Sequence, residues 1–394
     1  MTDCPRAEPG SGEEATEAPR PQVVDIFRAH AAAYRSRHRL SPEQARVLRD
    51  TAACRTAALS GHLYVCPKCA FEQPHYNSCR NRHCPNCQAL EQARWIEARE
   101  KRVLPVGHHH VVVTLPAPFR PLARRFPSKV YEAFFAAVDD CFATLARDVL
   151  NARLGVTAVL HTWTRELNFH PHLHCVVTAG GLTLDGKRWV ERTRYLFPVR
   201  RMKALFRARL LARLDALRGA GLLPLTDDEW TKLLRQLPTK SRWVVYIKQP
   251  FGRSTHVLRY LGRYTHRIAI SDQRLVSVDP TAVTFRTRAD HTLTLSPEQF
   301  IGRFLQHVLP HGLRKIRHFG LYAPGSNGHL ACARRLLGEG DRVHTTEDAT
   351  QDSYESALDL FARLSDEDPL LCPRCKSAIM EQRPLPRDPP TRPP

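Results

Sequence analysis

The chain has 394 residues, a formal net charge of +20 and a pI near 9.8. That length supports two or three cored domains, and the charge points to an anionic polymer, nucleic acid first, as the partner. No run of eighteen apolar residues offers a membrane span and no basic-then-apolar N-terminus offers a secretory signal, so no membrane partner is expected and the 12 cysteines are placed in a reducing cytoplasm, where Cys-x-x-Cys spacing means metal rather than disulfide.

In chain order, residues 1–22 are rich in Pro, Glu, Gly and Ala and read as a disordered tail. Val23 to Ala58 reads as two helices, the second opened by Ser41-Pro42-Glu43. A cysteine-rich patch runs from Cys54 to Cys87, and Gln88–Val103 reads as a helix leaving it. Residues 23–103 are thus expected to form a zinc-binding, DNA-recognising domain. From His108 the texture changes. HHHVVVTLP reads as a buried strand, Ser128–Leu150 as a long helix with Tyr131, Phe134, Phe135, Val138, Phe142 and Leu145 at helical spacing, and VTAVLHTW (156–163) as a second strand. NFHPHLHCVV (168–177) is a third, and LTLDGKRWV turns at Asp185-Gly186. Phe197–Arg218 is an amphipathic helix, SRWVVYIKQP (241–250) another strand, and Ser254 caps a short helix reaching about His266. Short strands run to about Leu295, and a helix starts at Pro297. Residues 331–394 read as an acidic, then proline-rich C-terminal tail. Strands joined by hairpins and long helices predict an α+β fold, a mainly antiparallel sheet with helices packed on it, over 104–330.

Cys66-Pro-Lys-Cys69 and Cys84-Pro-Asn-Cys87 are two knuckles whose four thiolates could close a tetrahedron around a structural Zn²⁺ with no open position. Cys54, His62, Cys79 and His83 lie in the same segment and could form a second site, exchange with the first set, or serve as core residues and phosphate contacts. Arg80 and Arg82 suit phosphates and base edges. Cys372-Pro-Arg-Cys375 is a half-site that needs two more ligands, with Cys332 or His344 as candidates.

In the strand at 168–177, His170, His172 and His174 alternate and therefore share one face. Imidazoles on a buried strand need partners, and a divalent cation satisfies His172 and His174 together while Leu173 points into the core. His170 and Glu166 are candidates for a third ligand. Such a site suits Lewis-acid activation of a phosphate oxygen. Downstream, RSTHVLRYLGRYTHR places Tyr260 and Tyr264 four apart, on one face of a helix, with Arg259, Arg263 and Arg267 at the same period. A tyrosine phenolate can attack phosphorus and hold the cut strand covalently. Periodicity alone would make these tyrosines core, because Val257 and Leu261 lie on nearly the same face.

HPHLH followed by YLGRYTHR resembles the HUH (His-hydrophobic-His) nuclease superfamily. CRTAALSGHLYVCPKCAFEQPHYNSCRNRHCPNCQ is similar to the zinc-binding domain of its rolling-circle transposases, the insertion sequence 91 family. The resemblance covers roughly residues 25–330. It implies single-stranded DNA cleavage through a 5′-phosphotyrosine, strand transfer, and Mg²⁺ or Mn²⁺ at His172 and His174, with Tyr260 and Tyr264 as the paired nucleophiles. It implies a cytoplasmic, nucleoid-associated bacterial protein. Arg259, Arg263 and Arg267 would meet DNA phosphates. No P-loop motif is present, so host helicase or replication machinery is expected to separate strands. The rival readings are a non-catalytic zinc-dependent DNA-binding protein, a zinc hydrolase using His170, His172 and His174, and an HUH replication initiator or relaxase.

Overall fold

The computed structural model describes residues 20–87, 89–239, 242–250, 269–338, 357–365 and 368–385. The N-terminal tail up to residue 19, the helix expected from Ser254, and His344 lie outside them.

Two helices, α1 (Val23–Arg37) and α2 (Pro42–Ala53), open the described chain. Ser41 starts α2 as predicted: its hydroxyl accepts from the Gln44 amide, the Gln44 side chain accepts from the Ser41 amide, and Pro42 takes the first helical position, where its missing N–H costs nothing. A hairpin follows, β1 (Gly61–Val65) and β2 (Glu72–Tyr76), then α3 (Ala89–Glu100). The next stretch holds β3 (His108–Thr114), α4 (Arg120–Arg125), α5 (Pro127–Leu145), β4 (Ala152–Arg153), β5 (Gly155–Trp163), β6 (Phe169–Thr178), β7 (Gly180–Thr183) and β8 (Trp189–Glu191). It is followed by α6 (Val199–Gly219), α7 (Asp227–Arg235) and β9 (Val245–Ile247). Later in the chain come β10 (Leu275–Val278), β11 (Val283–Arg288), β12 (His291–Leu295), α8 (Pro297–Leu305), β13 (Ile316–Gly320), α9 (Asn327–Leu336), α10 (Ala357–Ser365) and β14 (Glu381–Leu385).

The main sheet has five strands in the order β13-β5-β6-β3-β9, antiparallel throughout. The fold is therefore α+β, as expected. Strand alternation divides its two faces. Val111, Val113, Leu160, Leu173, Cys175 and Val177 face α5 and α6, where they meet Phe134, Phe142, Phe206 and Leu210 in one buried cluster. Each large side chain sealed there is worth about 1.5–3 kcal/mol of transfer free energy, so this face fixes the sheet. The opposite face carries His110, His161, His172 and His174, which the register sets side by side: His161 opposes His172, and His110 opposes Val176.

A second core joins α1 and α2 to the sheet β10-β11-β12 and to α8. Phe27 on α1 meets Phe304 on α8 edge to face at 5.1 Å. The N-terminal helices thus share a core with residues near 300.

Two expectations differ from the structure, and one helix lies where none is expected. The strand expected at 241–250 contracts to Val245–Ile247, the residues that pair with β3, while Trp243 before it packs on Phe206. The helix α7 has no counterpart in the sequence reading, although Thr226 and Glu229 form a full capping box. The C-terminal region is not simply a tail. Its helix α10 meets α3, with Arg363 2.9 Å from Glu97, and β14 pairs antiparallel with β1, from Gly61↔Leu385 to Val65↔Glu381. That pairing fills the free edge of a two-stranded hairpin, which would be marginal alone.

Candidate active site and metal centres

The histidine face forms the floor of a cleft of about 600 Å³. Its walls include Trp163, Arg165, Ala269, Arg274, Arg286 and Arg288, so the second sheet overhangs the first. Arg165, Arg286 and Arg288 are exposed. Arg274 instead spends its guanidinium on the carbonyls of Arg286 and Arg165.

One ligand nitrogen each from His161, His172 and His174 fits within a span of 4.8 Å. The two Nε2 atoms of His172 and His174 are 3.1 Å apart. An ion about 2.1 Å from each of two imidazole nitrogens, at a right angle, would hold them roughly 3 Å apart. Hydrogen bonds orient both rings. His172 Nδ1 lies 2.7 Å from the carbonyl of His170 and must donate to it, which leaves Nε2 as a lone pair aimed into the cleft. His174 Nδ1 lies 2.8 Å from His110 Nε2, and with Nδ1 engaged there its Nε2 faces that of His172. Burial pulls the pKa of His172 down to about 4 and that of His174 well below the ordinary value, and the neighbouring imidazoles add to the effect. Both rings are neutral at pH 7, as ligation requires. The residues therefore fit a divalent cation.

The third member of this group is His161, a lone histidine in VTAVLHTW with no second ligand at strand spacing beside it. Only the register of β5 against β6 reveals it. Neither predicted third ligand belongs to the group. His170 also lines the cleft, but its Nδ1 lies 2.7 Å from Arg120 Nη2, so it accepts there. Glu166 sits on the β5–β6 loop. The Thr164 hydroxyl, its own backbone and then Arg288 and Arg274 hold its carboxyl below the usual range. Tyr260, Tyr264, Arg259, Arg263 and Arg267 lie outside the described residues.

The four cysteines expected around one zinc do not meet. Cys84 and Cys87 gather with Cys54 and Cys79, whereas Cys66 and Cys69 gather with Cys372 and Cys375. The hairpin is the reason. Cys66 and Cys69 occupy its tip, between Val65 and Glu72, while Cys54, Cys79, Cys84 and Cys87 lie at its base. Five residues of strand span roughly 17 Å, too far for one ion. At the base, Sγ of Cys87 is 3.4 Å from Cys54 and 3.6 Å from Cys79. A disulfide would need about 2.05 Å, and tetrahedral ligation at about 2.3 Å per bond gives roughly 3.8 Å between sulfurs. Hydrogen bonds from Cys54, Cys79 and Cys84 drive the Cys87 thiol far down, against its burial. The set fits a structural zinc.

His62 and His83 join neither group. Gln382 Nε2 donates to His62 Nδ1 at 2.7 Å, and the Leu309 amide donates to His83 Nε2 at 3.0 Å. Arg80 is exposed, in a left-handed turn with φ 51°. Arg82 is not available to DNA in the same way, since its guanidinium donates to the carbonyls of Leu309, Leu313 and Pro310. Cys332, a suggested partner for the half-site, instead donates to the Gly186 carbonyl.

Residues 26–115 match the family described as "Transposase zinc-binding domain", and residues 155–329 match the family described as "Putative transposase". The chain is 39% identical over 378 residues to "Putative transposase y4qJ" of Sinorhizobium fredii, covering 91% of this chain and 94% of that one. It is 30% identical over 289 residues to "Transposase for insertion sequence element IS801" of Pseudomonas savastanoi pv. phaseolicola, covering 69% and 68%. No solved structure matches. Among the described residues, no helix is long and apolar enough to cross a membrane.

Proposed function

The chain belongs to the transposase family of insertion sequence 91, and from that premise we propose that it moves an insertion sequence by a rolling-circle mechanism, cutting and transferring a single DNA strand through a tyrosine. The observation that carries this reading is the convergence of His161, His172 and His174 on the floor of an arginine-walled cleft. Ala269, five positions after Tyr264, lines that cleft, which supports a tyrosine of the preceding segment as the nucleophile.

In the proposed step the phenol oxygen of Tyr260 or Tyr264 attacks the scissile phosphorus in line. A phosphorus–tyrosine bond forms, the bond to the 3′ oxygen breaks, and that oxygen leaves as a hydroxyl carrying the proton the phenol gives up. The 5′-phosphotyrosine conserves the phosphoester, so a 3′-hydroxyl can reverse the step on another strand without ATP. A tyrosine of ordinary pKa near 10 needs cationic surroundings, and Arg165, Arg286 and Arg288 offer them while also neutralising DNA phosphates. A divalent cation held by the three imidazoles would supply Lewis-acid polarisation of a phosphate oxygen. Of Mn²⁺ and Mg²⁺, the all-nitrogen donor set favours Mn²⁺, since Mg²⁺ seeks oxygen. In this reading the zinc hairpin and Arg80, within residues 23–103, dock an element end. Residues 104–330 carry the chemistry, and host machinery exposes the single strand.

The test is a denaturing gel. Labelled single-stranded DNA carrying an element end, incubated with the protein and Mn²⁺, is expected to give a covalent protein–DNA band. The band should vanish in the double Tyr260→Phe, Tyr264→Phe variant and in His172→Ala. Absence of any band while zinc-dependent DNA binding persists would overturn the proposal in favour of a non-catalytic DNA-binding role.

A further inference from the structure

We propose that Cys66, Cys69, Cys372 and Cys375 hold a zinc ion of their own, and that this ion makes β14-β1-β2 a zinc ribbon fastening the C-terminal segment to the N-terminal hairpin.

The two halves of this cluster lie about 300 positions apart in sequence but have the same local geometry. In Cys66-Pro-Lys-Cys69-Ala70, the Ala70 amide donates back to the Cys66 carbonyl at 3.0 Å, and Ala70 is left-handed with φ 54°. In Cys372-Pro-Arg-Cys375-Lys376, the Lys376 amide donates to the Cys372 carbonyl at 2.9 Å, and Lys376 is left-handed with φ 49°. Each entering cysteine's amide also donates into its own knuckle loop, five positions on in the first and six in the second. The Cys66 amide donates to the Phe71 carbonyl and the Cys372 amide to the Ala378 carbonyl, both at 2.9 Å. Non-glycine residues rarely adopt positive φ, so two copies of the same costly turn, each directly after a Cys-x-x-Cys, call for a common cause. A knuckle that converges two sulfurs on one ion supplies it.

The knuckles face each other. Sγ of Cys66 is 3.6 Å from Cys375, and Sγ of Cys69 is 3.7 Å from Cys372. These separations exceed a disulfide bond and approach the roughly 3.8 Å of a zinc tetrathiolate. Cys66 and Cys372 are buried, with Met380, Phe71 and Tyr64 packed around the cluster. Lys68 donates to the Ser377 hydroxyl at 2.9 Å across the two loops. Four thiolates around Zn²⁺ carry a charge of −2, and Lys68, Arg374 and Lys376 in the knuckle loops offset it. The strand ladder from Gly61↔Leu385 to Val65↔Glu381, and Ser60 donating to the Leu385 carbonyl at 2.8 Å, continue the same junction. With four protein ligands the ion has no open position, so its role is closure of the chain rather than catalysis.

Thiol alkylation of the full-length native protein, read by mass spectrometry, tests this. Cys372 and Cys375 are expected to resist the reagent together with Cys66 and Cys69, then to react as a set when a chelator withdraws zinc. Immediate reaction of Cys372 and Cys375 would overturn the proposal, as would failure of the four to react after chelation, which marks a disulfide. Zinc content gives a second reading. The Cys372→Ser, Cys375→Ser double variant should hold one zinc per chain fewer than the parent, whereas Cys375→His should keep it, because zinc accepts imidazole in place of a thiolate. An unchanged zinc content in the double variant would also refute the site.

Discussion

His110 Nε2 lies 2.8 Å from Nδ1 of His174, and the two rings stack 5.0 Å apart and 7° from parallel. His110 is not among the residues that line the cleft and it touches His174, so it is a positioning residue: it sets which nitrogen His174 presents. Its replacement by Ala should raise the Mn²⁺ concentration needed for half-maximal cleavage by about 10- to 100-fold, the usual cost of losing such a partner. His110→Gln, which can still accept from His174 Nδ1, should recover part of the loss. A metal titration of the covalent-adduct assay checks both, and a lower maximal rate with unchanged Mn²⁺ dependence would contradict the role.

His161 and His170 should separate cleanly. His161 belongs to the converging group, whereas His170 lies outside it and accepts from Arg120. His161→Ala is expected to abolish the covalent band at micromolar Mn²⁺, and His170→Ala to reduce it by about tenfold or less. Equal losses would return His170 to the ligand set.

Arg82 and the cleft arginines should also part ways. Arg82 ties the cysteine segment to the carbonyls of Leu309, Pro310 and Leu313. Arg82→Met leaves those acceptors without a charged donor and should cost about 3 kcal/mol of stability. Arg286→Ala and Arg288→Ala, whose side chains are exposed on β11, should change stability by less than about 0.5 kcal/mol. Each should instead lower the salt dependence of single-strand binding by a slope of about 0.7. Denaturant melts and binding isotherms at several salt concentrations distinguish the two.

Stability should rise with pH on the alkaline side of neutrality because of Lys315. Among the described residues its buried ammonium has no hydrogen-bond partner, and burial, then Arg82, pulls its pKa from 10.5 to about 7. Between those values the unfolded chain binds the proton and the folded chain does not, so unfolding becomes less favourable as pH climbs from about 7 towards 10.5. Below about 7 both states are protonated and this group adds no further slope. Urea unfolding at pH 7 and pH 9 should show the rise, and Lys315→Met should flatten it.

Local chemistry was legible in the sequence wherever neighbours along the chain are also neighbours in space. Ser41-Pro42 announces α2, the apolar spacing of 131–145 announces α5, and the alternation in HPHLH puts His172 and His174 on one face because strand geometry has a period of two. The family resemblance stood on the same short motifs. What needed the tertiary structure were the pairings between distant segments. His161 joins His172 only through the β5–β6 register, and His110 joins His174 only because β3 lies on the other side of β6. The cysteines make the point most sharply. Four thiols from two adjacent knuckles looked like one site, yet the rigid hairpin between tip and base keeps them apart and sends Cys66 and Cys69 to partners near the C-terminus. Sequence specified which residue types could bind and which way a single strand turns them. Which of them meet was decided by strand register and chain closure, because those depend on core packing and edge pairing summed over the whole molecule, not on any one segment.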